Sequence, residues 1–193
     1  AEREVREQRE AKASLMRRLR RDVEAQKARV AMLANQEKAL LELIQGIRQG
    51  LMQPERQQTG KPVRKLKGRL PWPLPSGRIV ASFGSRPAPG LPRLAGVELA
   101  PRQTREVRAI ASGQVRYADW FGGYGLMLIV DHGDGVISVY AHNDALYREV
   151  GDWVEQGETL ALAGSTGWSS RVRLYFELRD NGKPVNPKLW CRR

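Results

Sequence analysis

The stretch Gly164-Ser-Thr-Gly-Trp-Ser-Ser-Arg-Val-Arg-Leu-Tyr-Phe-Glu-Leu-Arg179 organises the reading of this chain. A Gly-Ser-Thr-Gly turn opens it, and an alternating segment, Arg173-Leu-Tyr-Phe-Glu-Leu178, follows. Successive strand side chains point to opposite faces, so Leu174, Phe176 and Leu178 are predicted to face a core. Arg173, Tyr175 and Glu177 then share the other face. Three large polar side chains on one open face, just after a flexible turn, suggest a groove floor. An ordinary amphipathic strand with a solvated face fits the same pattern.

Outward from that stretch the signals stay β back to Arg78. Short segments at 78–83, 95–100, 106–110, 113–119 and 159–163 are separated by Gly, Pro and Asp turns. Two apolar runs, Leu126–Asp131 and Val136–Ala141, flank His132-Gly-Asp-Gly, a hairpin signal because Asp-Gly accepts positive φ. Gly84–Leu94, rich in Pro and Gly, is a loop. Many short strands with frequent turns predict a mainly β sandwich or barrel-like domain over residues 71–193. No helix is expected there beyond a turn near Asn143–Tyr147.

The other end reads differently. Residues 1–52 contain no proline and are dominated by Ala, Glu, Gln, Lys, Arg and Leu, which predicts one long helix. From Met16 an apolar 3-4 spacing runs through Leu19, Val23, Val30, Leu33, Leu40, Ile44, Ile47 and Leu51, interrupted by Gln26 and Glu37. That seam is the mark of a coiled coil and demands a partner, either an upstream antiparallel helix or a second copy. Asn35 could cap a separate helix, and Gly50 or Pro54 ends the element. Residues 53–70 carry no acid after Glu55 and read as a basic linker or arm. Pro71-Trp-Pro-Leu-Pro75 enforces an extended entry, with Trp72 as an anchor.

The net charge of +12 is uneven: residues 1–70 hold 18 Lys and Arg against 9 Asp and Glu. A nucleic-acid reading would need a recognition module, and neither zinc-finger spacing nor an aromatic RNP pattern is present. An anionic polymer or acidic partner fits the charge as well. No apolar run is long enough to span a bilayer. The opening residues lack a signal-peptide pattern and look like mid-helix, so a mature form or part of a longer chain is expected. The single Cys191 forbids an intrachain disulfide and leaves the redox compartment open.

Residues of about 71–193 resemble the lysostaphin/LytM-type zinc metallopeptidase domain, a family of peptidoglycan endopeptidases. The matching stretches are Leu94-Ala-Gly-Val-Glu-Leu-Ala-Pro101, Val107-Arg-Ala-Ile-Ala-Ser-Gly-Gln-Val115, Gly123-Tyr-Gly-Leu-Met-Leu-Ile-Val-Asp-His-Gly133, Tyr140-Ala-His142, Val150–Gly157, Gly164-Ser-Thr-Gly167, Leu174-Tyr-Phe-Glu177 and Asn181-Gly-Lys-Pro-Val-Asn-Pro187. The family holds zinc with His-x-x-x-Asp and His-x-His, and uses a further histidine for protons. The resemblance lays the first motif on Leu94 and Glu98, the second on Arg173-Leu174-Tyr175, and the further histidine on His142. Leucine cannot bind zinc, neutral tyrosine is a poor ligand, and Arg173 would repel a cation. His132 is not one of the family's ligands and reads as a turn histidine.

The expectation is therefore a non-enzyme without cofactor or metal. A groove bordered by Leu94, Glu98, Trp120, Tyr124, Tyr140, His142, Trp168, Arg173 and Tyr175 would bind a partner, since aromatic and Arg side chains anchor interfaces. The combination of seam helix, basic arm and degenerate domain resembles the EnvC class of division factors. It implies a periplasmic activator of peptidoglycan amidases, connected through its coiled coil to an FtsEX-type inner-membrane complex. Peptidoglycan is a further candidate partner. A helical element sometimes occupies the groove in such proteins, and Ala39–Leu51 is the candidate here; the last turns of a coiled coil are the alternative. A plain peptidoglycan-binding module and an active zinc endopeptidase are the competing readings.

Overall fold

A computed structural model describes residues 2–50 and 62–192, with side chains from Arg6 onward in the first helix. That helix, α1 (Glu2–Gly50), runs without interruption through Asn35, so the separate capped helix does not form. Leu51, Pro54 and residues 53–61 of the expected arm lie outside the described residues. The apolar seam changes surroundings along its length. Leu15, Met16, Leu19 and Val23 are 59%, 47%, 55% and 46% exposed, whereas Leu40 and Ile44 are 0% and 1% exposed.

The β domain contains ten strands: β1 (Arg78–Ala81), β2 (Val97–Ala100), β3 (Glu106–Arg108), β4 (Gly113–Trp120), β5 (Leu126–Asp131), β6 (Val136–Leu146), β7 (Trp153–Val154), β8 (Thr159–Ala163), β9 (Leu174–Asp180) and β10 (Lys183–Val185). They make one sheet in the order β1-β2-β9-β6-β5-β4-β7, with β10 on β9, β8 on β6 and β3 on β8. Each pairing between these strands is antiparallel. The turn expected at Asn143–Tyr147 is instead the continuation of β6 to Leu146, where the strand leaves β9 and pairs with β8. His142, at φ 64°, sits at that change of partner.

Alternation holds in the central strands, but both faces are buried. Leu174, Phe176 and Leu178 enter the main core with Val97, Leu99, Leu128, Val130, Val136 and Tyr140. On the opposite face Met127, Ile129, Ile137, Val139, Ala141 and Tyr175 pack against Leu40 and Ile44 of α1. Burying each of these two helix side chains contributes on the order of 1.5–3 kcal/mol. The open polar face expected on β9 is thus a helix-covered face.

The basic segment is also more integrated than an arm. Val63 and Leu70 are buried in the main core, Leu70 bridges Cys191 in parallel, and Arg64 pairs with Asp180 at 2.5 Å. Trp72 meets Phe176 edge-on with ring centroids 6.4 Å apart, the anchoring expected of the Pro-rich entry.

Gly46 lies in α1 with open space around it: an added Cβ would meet nothing within 4 Å. Its flexibility therefore weakens the helix without serving a close approach. Gly46→Ala is expected to stabilise the end of α1 by up to about 1 kcal/mol. Amide hydrogen exchange over residues 42–50 should slow; unchanged exchange would show that these turns are not helical in solution.

Candidate functional site

β2, β6, β9 and the loops before β2, β5 and β9 bring most of the sequence-selected residues to one place. Leu94, Glu98, Gly123, Tyr124, His142, Trp168 and Tyr175 line a cavity of about 190 Å³, closed on its other side by Arg29, Leu33, Gln36 and Glu37 of α1. Cross-strand register sets Glu98 opposite Tyr175. Tyr124 stacks on His142 at 6.4 Å and lies 5.3 Å from Tyr175, extending an aromatic row from Tyr117 and Phe121. Gly123 is required here, because a Cβ would overlap the Trp168 indole. The Trp168 amide donates to the Gly123 carbonyl at 2.8 Å.

Arg173 ends the row on an ion pair with Glu98 at 2.5 Å, both side chains about one quarter exposed. His142 Nδ1 donates to the Thr166 carbonyl at 2.9 Å, and burial lowers its pKa, so the ring is held neutral. Beneath the helix the Tyr175 hydroxyl donates to Glu177 Oε2 at 2.7 Å. Arg179 Nε also bonds Glu177, and Arg179 Nη1 donates to the Gly182 carbonyl at 3.1 Å. Burial raises the Glu177 pKa while the adjacent Arg179 opposes it. The Arg179 guanidinium, held also by the Gly182 carbonyl, keeps the pair ionised. Removing one member of such a pair costs about 3–5 kcal/mol, because the other charge stays buried.

These residues do not fit a zinc ion. Leu94 offers only carbon. The Glu98 carboxylate is neutralised by Arg173, a charge that repels cations. Burial raises the Tyr175 pKa, keeping a protonated hydroxyl that is already donated to Glu177. Of the histidines in the pattern, His142 is the one present.

Two of the expected groove residues lie elsewhere. Tyr140 is fully buried in the main core, 5.5 Å from Phe176, with Ile110 N–H donating to its oxygen at 3.4 Å. Strand alternation alone would put Tyr140 and His142 on one face; the left-handed backbone at His142 breaks it and turns that ring to the helix side. Trp120, at the end of β4, is 52% exposed and does not line the cavity. Sequence reasoning missed the contributions of Arg29, Leu33, Gln36 and Glu37, and the buried Tyr175–Glu177–Arg179 set. The signal available was the unbroken apolar runs of β5 and β6, which imply cover on both faces.

This sheet has the architecture of LytM-type domains. Residues 93–187 match the family model described as Peptidase family M23, so the chain carries a LytM-type domain of that family. Murein hydrolase activator EnvC of Escherichia coli (strain K12) is 39% identical over 127 residues, covering 66% of this chain and 30% of that protein. Murein hydrolase activator NlpD of the same strain is 38% identical over 117 residues, covering 60% and 29%. The catalytic domain of the antimicrobial peptidase lysostaphin from Staphylococcus simulans superposes with a TM-score of 0.53 at 27% identity, covering 59% of this chain and 91% of that one. A DD-carboxypeptidase/endopeptidase of Neisseria meningitidis, Mpg, is also 39% identical, over 66% of this chain and 30% of its own. Identity alone therefore does not separate activators from peptidases, and the site residues must. The chain spans about 30% of the length of the curated relatives it matches.

His132 stands at the β5–β6 turn, as expected, and its side chain is buried, 1% exposed. Its Nδ1 donates to the Ser112 carbonyl at 2.9 Å, and Ser138 Oγ lies 2.7 Å from Nε2. Burial pushes its pKa down to about 4. The fold thus favours the neutral ring, and its contribution is complete above the unfolded pKa of about 6.5 and lost as pH falls toward 4. The full linkage is roughly 3 kcal/mol. Urea unfolding between pH 7.5 and 4 should show this loss, and His132→Asn should flatten it. Buried Asp131 and Glu177, raised in pKa, act in the opposite sense, so the difference between the two proteins is the informative quantity. Equal pH slopes would refute the assignment.

Proposed function

We propose that this chain is a non-catalytic activator of peptidoglycan amidases of the N-acetylmuramoyl-L-alanine type. It would act in the periplasm during cell division and daughter-cell separation. The observation that carries this reading is the state of the former metal positions. Leu94, Glu98 and Tyr175 line one cavity and Arg173 pairs with Glu98, so these positions hold an ion pair, a donated phenol and an aliphatic wall. Such a surface suits recognition of a protein segment rather than polarisation of a peptide bond. The activator names of EnvC and NlpD support the same direction.

In this reading α1 is a restraint. Leu40 and Ile44 occupy the apolar face beside the cavity, and Arg29 to Glu37 close over it. An amidase segment can engage Arg173, Tyr124 and Trp168 fully only when α1 moves aside. The exposed seam of Met16, Leu19 and Val23 is where a coiled-coil partner would seat, and an FtsEX-type membrane complex would act through it.

Release of dye-labelled fragments from sacculi by a purified amidase tests both parts. The double change Leu40→Ala and Ile44→Ala weakens helix docking by several kcal/mol, since each such truncation costs about 2–5 kcal/mol. It should raise stimulation at least tenfold over the unmodified chain. Adding Arg173→Glu to that opened protein should abolish stimulation while the circular dichroism spectrum is retained. Opened protein that fails to stimulate any amidase would refute the activator reading. About one zinc per chain by elemental analysis, with unaided cleavage of crosslinked sacculi, would establish the enzyme instead.

A further inference from the structure

A second cleft lies on the other face of the sheet. Leu99 of β2 faces it, whereas its neighbour Glu98 faces the cavity under α1. The cleft has a volume of about 430 Å³ and is lined by Trp72, Pro75, Ile79, Leu99, Arg102 and Arg192, among others. Its floor is apolar, its rim carries two guanidinium groups, and no acidic residue lines it among the described residues. Arg102 and Arg192 are both exposed, so their donors are open to a ligand.

The neighbouring strand adds direction. β1 ends the sheet path and pairs only with β2 among the described residues, which leaves its outer edge of N–H and C=O groups available. Residues Ser76, Gly77 and Ile79, at the start of that edge, also line the cleft. An extended peptide can bond along a free strand edge while its side groups use adjacent pockets. A planar, multi-donor guanidinium suits carboxylates. A ligand matching all three features is an extended peptide that alternates apolar groups with carboxylates.

We infer that the cleft formed by Trp72, Ile79, Leu99, Arg102 and Arg192 binds the acidic stem peptide of peptidoglycan. The choice of stem peptide over another acidic peptide rests on the proposed function, which puts the chain at the cell wall. Because cleft and groove occupy opposite faces of β2, wall binding and amidase binding do not compete. The cleft is open while α1 covers the groove, so the restrained protein already holds its wall site. A wall-bound activator would present its groove to an amidase working on the same glycan strand.

The test is a titration of the isotopically labelled full chain with a soluble disaccharide-tetrapeptide, followed by amide and indole resonances. Saturable shifts are expected at Trp72, Gly77 and Ile79, with no shift at Tyr124 or Tyr175. The exposed pair Arg102→Glu and Arg192→Glu should weaken binding at least tenfold, and amidation of the peptide carboxylates should weaken it comparably. Absent shifts, or undiminished binding by the double variant, would overturn the inference. Equal binding of an acidic peptide of ordinary protein sequence would overturn the choice of ligand. The same double variant, with α1 opened, should still stimulate an amidase on a soluble substrate. Muropeptide binding without stimulation by any form would leave this site standing and remove the activator reading.

Discussion

The structure depends on covering the second face of the central strands. β5, β6 and β9 are apolar or buried on both sides, and the main core satisfies only one of them. Left bare, Met127, Ile129, Ile137, Val139 and Ala141 would form a continuous apolar surface beside three aromatic rings. Leu40 and Ile44 remove that surface from water at the cost of fixing a long helix against the sheet. The cavity walled on one side by α1, the buried Tyr175 and the ionic pair beneath the helix all adjoin this contact.

The same contact bears on the chemistry of the site. A hydrolytic zinc centre needs an open coordination position and an approach for substrate. Here the corresponding place is bounded by a helix and internally bonded, with Arg173 on Glu98 and Tyr175 on Glu177. The polar groups that remain are arranged to be satisfied by one another in the covered state. Uncovering them would expose an apolar surface and a charged rim together, the composition of a protein-binding surface.

Much of the fold was legible in local pattern. Alternation placed Leu174, Phe176 and Leu178 in the core, Asp-Gly marked the β5–β6 hairpin, and the helix-forming composition of residues 1–50 gave α1. The candidate site was legible where it rested on motif positions, since Leu94, Glu98, His142, Arg173 and Tyr175 meet. It failed where it rested on alternation across an irregular residue: Tyr140 and His142 part because one left-handed backbone angle reverses a face. The continuation of β6 past Asn143 was equally hidden, because its pairing with β8 is a long-range choice.

By itself the sequence determined most of the secondary elements, the alternation of the central strands, and which side chains stand at positions 94, 98, 173 and 175. These are properties of residue identity and of periods 2 and 3.6, which local geometry enforces. Only the tertiary structure decided what the seam of α1 packs against. A seam records that a helix needs an apolar partner, but not whether that partner is another helix or a sheet. The answer came from strands more than 75 residues away in sequence, whose second face had no other cover.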